Sequence, residues 1–364
     1  MLRHRRDVWD MTFFDDARRA LASCVGDPAT VVVTDMRMPG MDGLALIDGL
    51  QAQCPETIRF VLSGYSAEEA GLRAAGIAHR FLSKPTDGTT LVAAIDQALS
   101  LRQRLGGDDI VQLVGRMAVI PALPDTYQEL TGQLRGDMLD TDAIAATVSK
   151  DPGIAARLVQ VANSSYFGAP RRIASVRGAV EFLGIETLKS LVLTHGIVSQ
   201  MAHHEIDGVP VAQRLVDRMV MTSRVAARIA GDLKPDRVDE EFVATLGLFA
   251  DVGLLVLIEN FPEAFGQWGE FEALGRDALL QFERDTFGVP HALVGAYLLG
   301  TWGLPDPLAS AVAELADNSV GDLSTSAQIV TFASKVLAQD DMTAFAEIGP
   351  IEKWVEFANS LNSN

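Results

Sequence analysis

The pattern of apolar and polar residues changes once along the chain. Before residue 105, short apolar runs such as Val31–Val33 alternate with helical patterns such as the one that begins at Leu44. Continuous apolar runs of this length, rich in β-branched residues, predict buried strands of a parallel sheet. From Ile110 onwards apolar residues recur at helical spacing, with no convincing alternating strand. The sequence therefore predicts an α/β domain followed by an all-helical domain.

The ends of predicted helices suggest the domain boundaries. A helix over Thr89–Leu105 closes the α/β domain, and two glycines and two aspartates follow it as a short break. We predict a first domain over residues 1–105, a helical domain over residues 106–315, and C-terminal helices over residues 316–364 that pack back on it. Asp151-Pro152 predicts one helix start in the helical domain, because aspartate caps helices and proline fits the first turn.

A polar side chain follows each of three predicted strands. Asp35 ends the first apolar run, Ser63 follows Arg59–Leu62, and Lys84 follows His79–Leu82 after one intervening residue. In open α/β sheets, ligands bind at the edge formed by the carboxyl ends of the strands. An acid, a hydroxyl and a lysine at this edge predict a site for phosphoryl transfer.

The segment Asp35–Gly43, with the sequence Asp-Met-Arg-Met-Pro-Gly-Met-Asp-Gly, resembles the receiver domain of two-component response regulators. The resemblance implies a flavodoxin-like fold and phosphoryl transfer from a sensor histidine kinase to Asp35. It also implies a Mg²⁺ ion, which neutralises charge among crowded oxygens and is bound in part by Asp35 and the Arg37 carbonyl. The other implied features are a switch hydroxyl at Ser63, a switch aromatic at Phe81, a phosphate-pairing lysine at Lys84 and a cis peptide bond at Lys84-Pro85.

The N-terminal segment departs from the receiver pattern. We predict a strand over Asp10–Phe14, followed by Asp15 and Asp16 and by a helix over residues 17–24. The interval from Asp16 to Asp35 has room for only one helix and one strand, so the first receiver strand is missing from the expected order. Three possibilities stay open. The chain starts at an internal methionine of a longer protein, or the receiver is degenerate and lacks a metal site, or the strand predicted over Asp10–Phe14 has moved beside the third strand of the receiver fold. In the last case Asp15 and Asp16 would replace the acidic pair that binds Mg²⁺.

Several motifs in the helical part resemble the HDOD domain, a helical relative of the HD metal-dependent phosphohydrolases, over about residues 107–315. The motifs are the segments 149–164, Tyr166-Phe167-Gly168, 179–184 and Trp302-Gly303-Leu304-Pro305.

The metal ligands of HD enzymes are largely missing from this chain. Such enzymes use histidines and aspartates to bind metal ions that activate water. Here the His-Asp pair is replaced by Ala250-Asp251, and the first histidine should lie near Arg218. Of the other ligands only His291 remains, which we expect to lie far from Asp251. We therefore predict no enzyme activity, no cofactor in the HDOD domain, and a hydrogen-bonded core role for Asp251.

Composition restricts the partners and the location of the protein. A net charge of −18 and a pI near 4.7 disfavour nucleic acid as a partner, since phosphate binding needs a basic face. The basic N-terminus lacks the apolar run of a signal peptide, and the apolar stretch Leu246–Ile258 is too short to span a bilayer. Cys24 and Cys54 have no metal or redox spacing and are predicted as buried, reduced thiols. We expect a cytoplasmic protein without a membrane contact.

The sequence thus indicates a bacterial response regulator. In this interpretation, phosphoryl acceptance at Asp35 controls a non-enzymatic HDOD module that binds other proteins. The downstream signalling protein is not identified by the sequence, although a second-messenger enzyme fits the resemblance, and a homodimer stays open. The alternatives are an HD-type phosphodiesterase acting on a cyclic mononucleotide or dinucleotide, a receiver-like scaffold that is not phosphorylated, and, less favoured, a DNA-binding regulator.

Overall fold

The computed structural model describes most of the chain. The residues described are 5, 7–63, 78–104, 111, 114, 124–135, 140–163, 169, 171–184, 187–188, 205–206, 209–233, 238–265, 268–301, 304–316, 324–338 and 351–361. Over these residues the predicted α/β class is confirmed, and the second domain is mostly helical, with one short antiparallel pair of strands that was not predicted.

The N-terminal domain contains a parallel sheet of three described strands in the order β1-β2-β3. In the sheet, Val33 lies opposite Phe60, and Leu62 lies opposite Leu82. The elements of this domain are α1 (Ala17–Gly26), β1 (Val31–Asp35), α2 (Gly43–Gln53), β2 (Ile58–Ser63), β3 (Arg80–Ser83) and α3 (Gly88–Arg104).

The two faces of the sheet contribute to two different apolar clusters, because side chains alternate along a strand. Val61 packs in a small cluster with Ile47 and Leu50 of α2, which also contains both cysteines as buried free thiols. Phe60 and Leu82 belong to the other cluster, which includes the buried side of α3 and continues into the helical domain. The α/β and helical domains therefore share one core.

The predicted strand over Asp10–Phe14 is wrong. These residues pair with no described strand, and Phe13 is 64% exposed. An extended segment becomes a strand only when a neighbour satisfies its backbone groups. Residues near the start instead contact α3, since the Arg5 guanidinium lies 2.6 Å from Asp96 Oδ1 and 4.9 Å from the Trp9 ring centroid.

The helical domain has one break that the sequence pattern did not indicate. The apolar spacing over residues 238–259 predicts a single helix, but the structure has two, which meet at Ala250 and Asp251. The same spacing predicts a helix over residues 185–201, which lie largely outside the described part of the chain. The described elements are α4 (Pro124–Arg135), α5 (Thr141–Val148), α6 (Pro152–Ala162), α7 (Val176–Leu183), a small antiparallel pair β4 (Glu205–Ile206) and β5 (Val209–Pro210), α8 (Val211–Leu233), α9 (Glu240–Phe249), α10 (Val252–Asn260), a 3₁₀ helix (Pro262–Phe265), α11 (Trp268–Phe287), α12 (His291–Thr301), α13 (Asp306–Glu314), α14 (Thr325–Ala338) and α15 (Ile351–Leu361).

Helix α12 lies at the centre of the molecule. Ten of its eleven residues are buried, and it packs against α10, α13 and the receiver helix α3.

Helix α15 packs on α8 and α14, where Trp354 donates a 3.0 Å hydrogen bond to Asp232. The predicted domain boundaries stay predictions.

One stretch among the described residues, Glu240–Ile258, has the length and hydropathy of a membrane span. However, 83% of that window is buried inside the protein, and the break at Ala250 and Asp251 divides it into two helices. This is the pattern expected of core helices.

Gly43 allows α2 to start directly beside β1. Its backbone N–H donates a 3.0 Å hydrogen bond to the Met36 carbonyl, and a Cβ at this position would overlap the Asp35 carbonyl oxygen. Asp42 caps the helix by accepting from Ala45 N at 2.8 Å. The Asp-Gly pair of the motif therefore fixes α2 against the strand that carries Asp35.

We predict that Gly43→Ala lowers the free energy of unfolding by about 1–3 kcal/mol, because backbone atoms must move to admit the methyl group. Gly132→Ala in α4 is the matched control, since a Cβ there meets no described atom within 4 Å. That change should be neutral or stabilise by about 0.5–1 kcal/mol. Urea unfolding measures both, and an equal effect of the two changes would contradict the prediction.

Candidate functional site

Asp35 and Lys84 meet at the carboxyl edge of the sheet, as their strand-end positions predict. Lys84 Nζ contacts Asp35 Oδ2 directly, and the other carboxylate oxygen lies 3.4 Å from the Arg37 backbone nitrogen. The side chains of Asp35 and Lys84 are 37% and 42% exposed, so a phosphodonor can reach the carboxylate. The Lys84-Pro85 peptide bond is cis, which confirms that expectation.

Ser63 and Phe81, the predicted switch residues, have described backbones only. Ser63 is the last residue of β2, and Phe81 lies in β3 opposite Val61. Phe81 lies within the strand that the sequence predicted, whereas Ser63, expected just after its strand, is the last residue of it. Their side chains lie outside the described part of the structure, so their switch roles stay predictions.

The predicted Mg²⁺ ligands are not brought together. Asp16 caps α1 by accepting from Arg18 N at 2.8 Å and Arg19 N at 3.1 Å, and the exposed Asp15 pairs with Arg19 at 3.5 Å. Across the described residues, no three His, Cys, Asp or Glu side chains form a group that could bind a metal ion. Receivers usually bind Mg²⁺ for phosphorylation, but Asp15, Asp16 and Asp35 do not form that acidic site.

The amino-terminal ends of β2 and β3 contact the helical domain through buried polar groups. Arg59 is fully buried, and its guanidinium donates to the Thr57 carbonyl at 3.1 Å. His79 Nδ1 accepts from Arg59 N at 3.0 Å. The His79 carbonyl accepts from Gln160 Nε2 of α6 at 3.2 Å, which connects β3 to the helical domain. Burial lowers the pKa of His79 well below its usual value, so the ring is neutral.

A second polar connection runs through α3. Arg80 donates to Gln97 Oε1 at 2.8 Å, and the Gln97 amide contacts Asp306 at the start of α13. The two connections and the shared core join the sheet to the helical domain.

The degenerate HD position forms a buried charged cluster. Asp251, between α9 and α10, accepts from Arg218 Nη2 at 2.9 Å on one oxygen and contacts His291 Nε2 at 3.2 Å on the other. Glu283 of α11 lies 2.8 Å from His291 Nδ1 and also accepts from His291 N at 2.9 Å. Gly253 permits this arrangement, because a Cβ there would overlap the His291 carbonyl oxygen. The expectation that His291 is distant from Asp251 is therefore wrong.

The cluster keeps its charges despite its burial. Burial opposes protonation of His291, but Glu283 and Asp251 outweigh it and raise the pKa of the imidazole to about 9. Burial also disfavours the charged form of Asp251 and by itself would raise the pKa of this carboxyl group. Arg218 and His291 outweigh this effect and hold the pKa well below its usual range. Both imidazole nitrogens therefore carry protons and donate to carboxylates. Metal binding would require this histidine to lose one of these protons.

Sequence reasoning located part of this cluster and missed the rest. Arg218 and Asp251 were found by alignment with the HD pattern, and Asp251 is the hydrogen-bonded core carboxylate that was expected. Glu283 was missed, although a glutamate in a helix eight residues before a histidine across a Gly-Val-Pro break was a usable signal. His195, His203 and His204 lie outside the described residues.

Comparison with known families agrees with both resemblances. The HDOD domain model matches residues 120–317, more than half of the chain. The chain belongs to the HDOD family. The response regulator receiver domain model matches residues 1–96. This protein therefore has the domain composition of a two-component response regulator, and its HDOD part is a non-catalytic relative of HD domains.

Curated relatives match one part of the chain or the other. An uncharacterized protein of Treponema pallidum is 24% identical over 205 residues, which cover 55% of this chain and 38% of that protein. The hydrogenase transcriptional regulatory protein HoxA of Cupriavidus necator is 35% identical over 97 residues, 26% of this chain and 19% of that protein. The transcriptional regulatory protein FixJ of Bradyrhizobium diazoefficiens is 28% identical over 127 residues, 35% of this chain and 62% of that protein. The chain spans less than two thirds of the length of each.

Among solved structures, the MmoQ response regulator of Methylococcus capsulatus superposes with a TM-score of 0.52 at 21% identity. The match covers 68% of this HDOD chain and 98% of that one. This likeness supports the fold alone.

The raised pKa of His291 predicts a pH dependence of stability. Between pH 6.5 and about 9 the folded protein holds a proton on His291 that the unfolded chain releases. The free energy of unfolding therefore falls as the pH rises through this window. We expect His291→Gln to remove this slope, as measured by urea unfolding at several pH values.

His79→Gln is the control, because the lowered pKa of His79 gives the opposite dependence, a loss of stability as the pH falls below 6.5. This variant should keep the alkaline slope. An unchanged alkaline slope in His291→Gln would contradict the assignment.

Proposed function

We propose that this HDOD protein is a response regulator in which phosphorylation of Asp35 changes how the helical domain binds a downstream protein. The observation that carries the proposal is the contact between Asp35 and Lys84 at the exposed edge of the sheet. Receiver relatives such as FixJ imply a phosphodonor such as a histidine kinase. A sensor histidine kinase is the partner that we propose upstream.

The proposed reaction uses groups of the exposed site. An oxygen of the Asp35 carboxylate bonds to phosphorus as the phosphorus–nitrogen bond of the donor histidine breaks, which leaves an acyl phosphate on Asp35. Lys84 then exchanges its carboxylate partner for phosphoryl oxygens, because these carry more negative charge. No step is assigned to a metal ion, since the predicted acidic ligands are not gathered at Asp35 within the described part of the chain.

The short strand β3 supports the transmission of this change to the helical domain. Lys84 follows the strand, whereas Arg80 begins it and contacts Gln97. At 3.3 Å per residue, about 13 Å of backbone separates these two ends. A shift of Lys84 therefore displaces a segment whose other end, through His79 and Arg80, contacts the helical domain.

The HD-type phosphodiesterase alternative is disfavoured by the charged cluster. Arg218 donates to Asp251 in the place where a histidine was expected to bind metal, and the raised pKa of His291 favours an imidazolium between Asp251 and Glu283. We propose that the helical domain has no hydrolase activity and acts by binding a signalling protein, for which a second-messenger enzyme is one candidate class. A receiver that is never phosphorylated is the second candidate, favoured by the positions of Asp15 and Asp16.

Intact-mass measurement after incubation with acetyl phosphate and Mg²⁺ tests the proposal. We expect the mass of one phosphoryl group to appear on the wild-type chain and to be absent from Asp35→Asn. Asp42→Asn is the control, because Asp42 lies in the same motif but caps α2. No gain of mass by the wild type would favour the receiver that is not phosphorylated.

Hydrogen exchange tests whether the change reaches the helical domain. We expect phosphorylation to change the exchange of α12 amides at least about fivefold, the lower end of measured couplings between sites. Gln97→Ala should reduce this response, because it removes the connection between Arg80 and Asp306. Gln281→Ala is the control, since this exposed glutamine donates to Asp285 of its own helix, α11. Unchanged α12 exchange in a phosphorylated wild-type sample would contradict the coupling.

A further inference from the structure

A cavity of about 410 Å³ opens beside the buried charged cluster of the helical domain. Three arginines and one lysine line the cavity, and they come from three different helices. They are Arg214 and Arg218 of α8, Arg276 of α11 and Lys335 of α14. We call this cavity the basic pocket. It lies where the HD pattern places metal ligands, but it presents cations instead of metal-binding groups.

Positive charge exceeds negative charge in the basic pocket. Besides the four cations, the described lining contains two carboxylates, Asp217 and Asp251. Arg218 is paired with Asp251, which leaves three cations and one carboxylate, Asp217, in the lining. The excess stands out in a chain with a net charge of −18. A concave site of one sign raises the local concentration of oppositely charged ligands.

The guanidinium of Arg276, a residue that lines the pocket, has one donor without a partner among the described residues. One of its terminal nitrogens contacts the Leu315 carbonyl, but its buried Nε has no hydrogen-bond partner among the described residues. Burial also lowers the pKa of this arginine. A buried donor without a partner costs free energy, and native proteins rarely leave one unsatisfied. That nitrogen is itself buried, so a ligand in the pocket would pair with it only after a shift of the Arg276 side chain.

The pocket also has an apolar side. Met221, Leu279 and Leu337 line it together with the cations. Pockets of about 300–1,000 Å³ hold small organic ligands, so this volume exceeds the need of a bare inorganic ion. The ligand should therefore combine an oxyanion with an apolar or ring-shaped part.

We propose that the basic pocket binds a small organic phosphate, with the phosphate at Arg276 and Arg218 and the organic part against Met221, Leu279 and Leu337. Arginine suits this role because its planar fork of donors matches phosphate oxygens. The HDOD domain then senses a metabolite at the place where HD enzymes hold a metal. The proposal is independent of phosphorylation at Asp35.

Calorimetric titration of the full-length chain tests the proposal, with inorganic phosphate, phenyl phosphate and phenol as probes at constant ionic strength. We expect saturable binding of phenyl phosphate with one site per chain, several-fold weaker binding of inorganic phosphate, and none of phenol. Binding should weaken as salt rises, because part of it is electrostatic. Absence of saturable binding by both phosphates would overturn the proposal.

Two arginines of α11 provide a matched pair of variants. Arg276 contacts the Leu315 carbonyl and lines the pocket, whereas Arg284 donates to the Ala316 carbonyl at 2.9 Å and does not line it. We expect Arg276→Gln to weaken phenyl phosphate binding at least about tenfold, the effect of losing one charge-assisted hydrogen bond. Arg284→Gln should bind as the wild type. Equal effects of the two changes would overturn the assignment.

Two further variants distinguish the basic pocket from other anion-binding positions on the chain. Arg214→Gln tests the pocket from α8 if Arg276→Gln fails to fold, as judged by circular dichroism, and should also weaken binding. Lys84→Gln should bind phenyl phosphate as the wild type does, because Lys84 is the cation of the receiver edge and does not line the basic pocket. Loss of binding in Lys84→Gln, or full binding in Arg214→Gln, would place the phosphate elsewhere and overturn the proposal.

Discussion

The near-complete burial of α12 is the constraint on which the arrangement of this HDOD protein depends. An apolar helix with ten of eleven residues buried must be covered on all sides. Helices α10 and α13 cover part of it, and the receiver helix α3 covers another part. The first residue of α12 is His291, which joins Asp251 and Glu283. Helix α12 therefore connects the contact with α3 to the charged cluster. A rearrangement of either the contact or the cluster would also move this helix.

The sequence was informative where chemistry depends on local pattern. Asp35 and Lys84 met as expected, because parallel strands bring their carboxyl ends to one edge. The strand over Asp10–Phe14 was wrong, because a residue pattern cannot show whether a pairing neighbour exists. Arg276 and Lys335 carry no sequence signal, since they come together only when two separate helices pack. Arg59 was likewise an ordinary strand residue in the sequence, and only the fold shows that it is fully buried.

In the charged cluster an arginine lies near the place where the HD pattern has a histidine, and it compensates the charge of Asp251. A metal ion compensates nearby carboxylates and also holds an exchangeable water that can be activated. Arg218 compensates the charge of Asp251 through its hydrogen bond to that carboxylate. It cannot activate water as a metal ion does, because a guanidinium does not coordinate a water molecule. A buried carboxylate without a counter-charge would be strongly destabilising. The pair with arginine thus stabilises the packing of α8 against α10.

The core shared by the sheet and the helical domain limits how this protein can evolve. Interfaces between domains of one chain usually resemble transient, separable contacts. Here Phe60 and Leu82 of the sheet belong to the same apolar cluster as α12, and Arg59 and His79 are buried at the junction. A receiver acquired from another regulator would bring unmatched side chains to this surface. Exchange of one domain alone would therefore lower stability, and a substitution on one side of the junction would be best tolerated with a compensating change on the other.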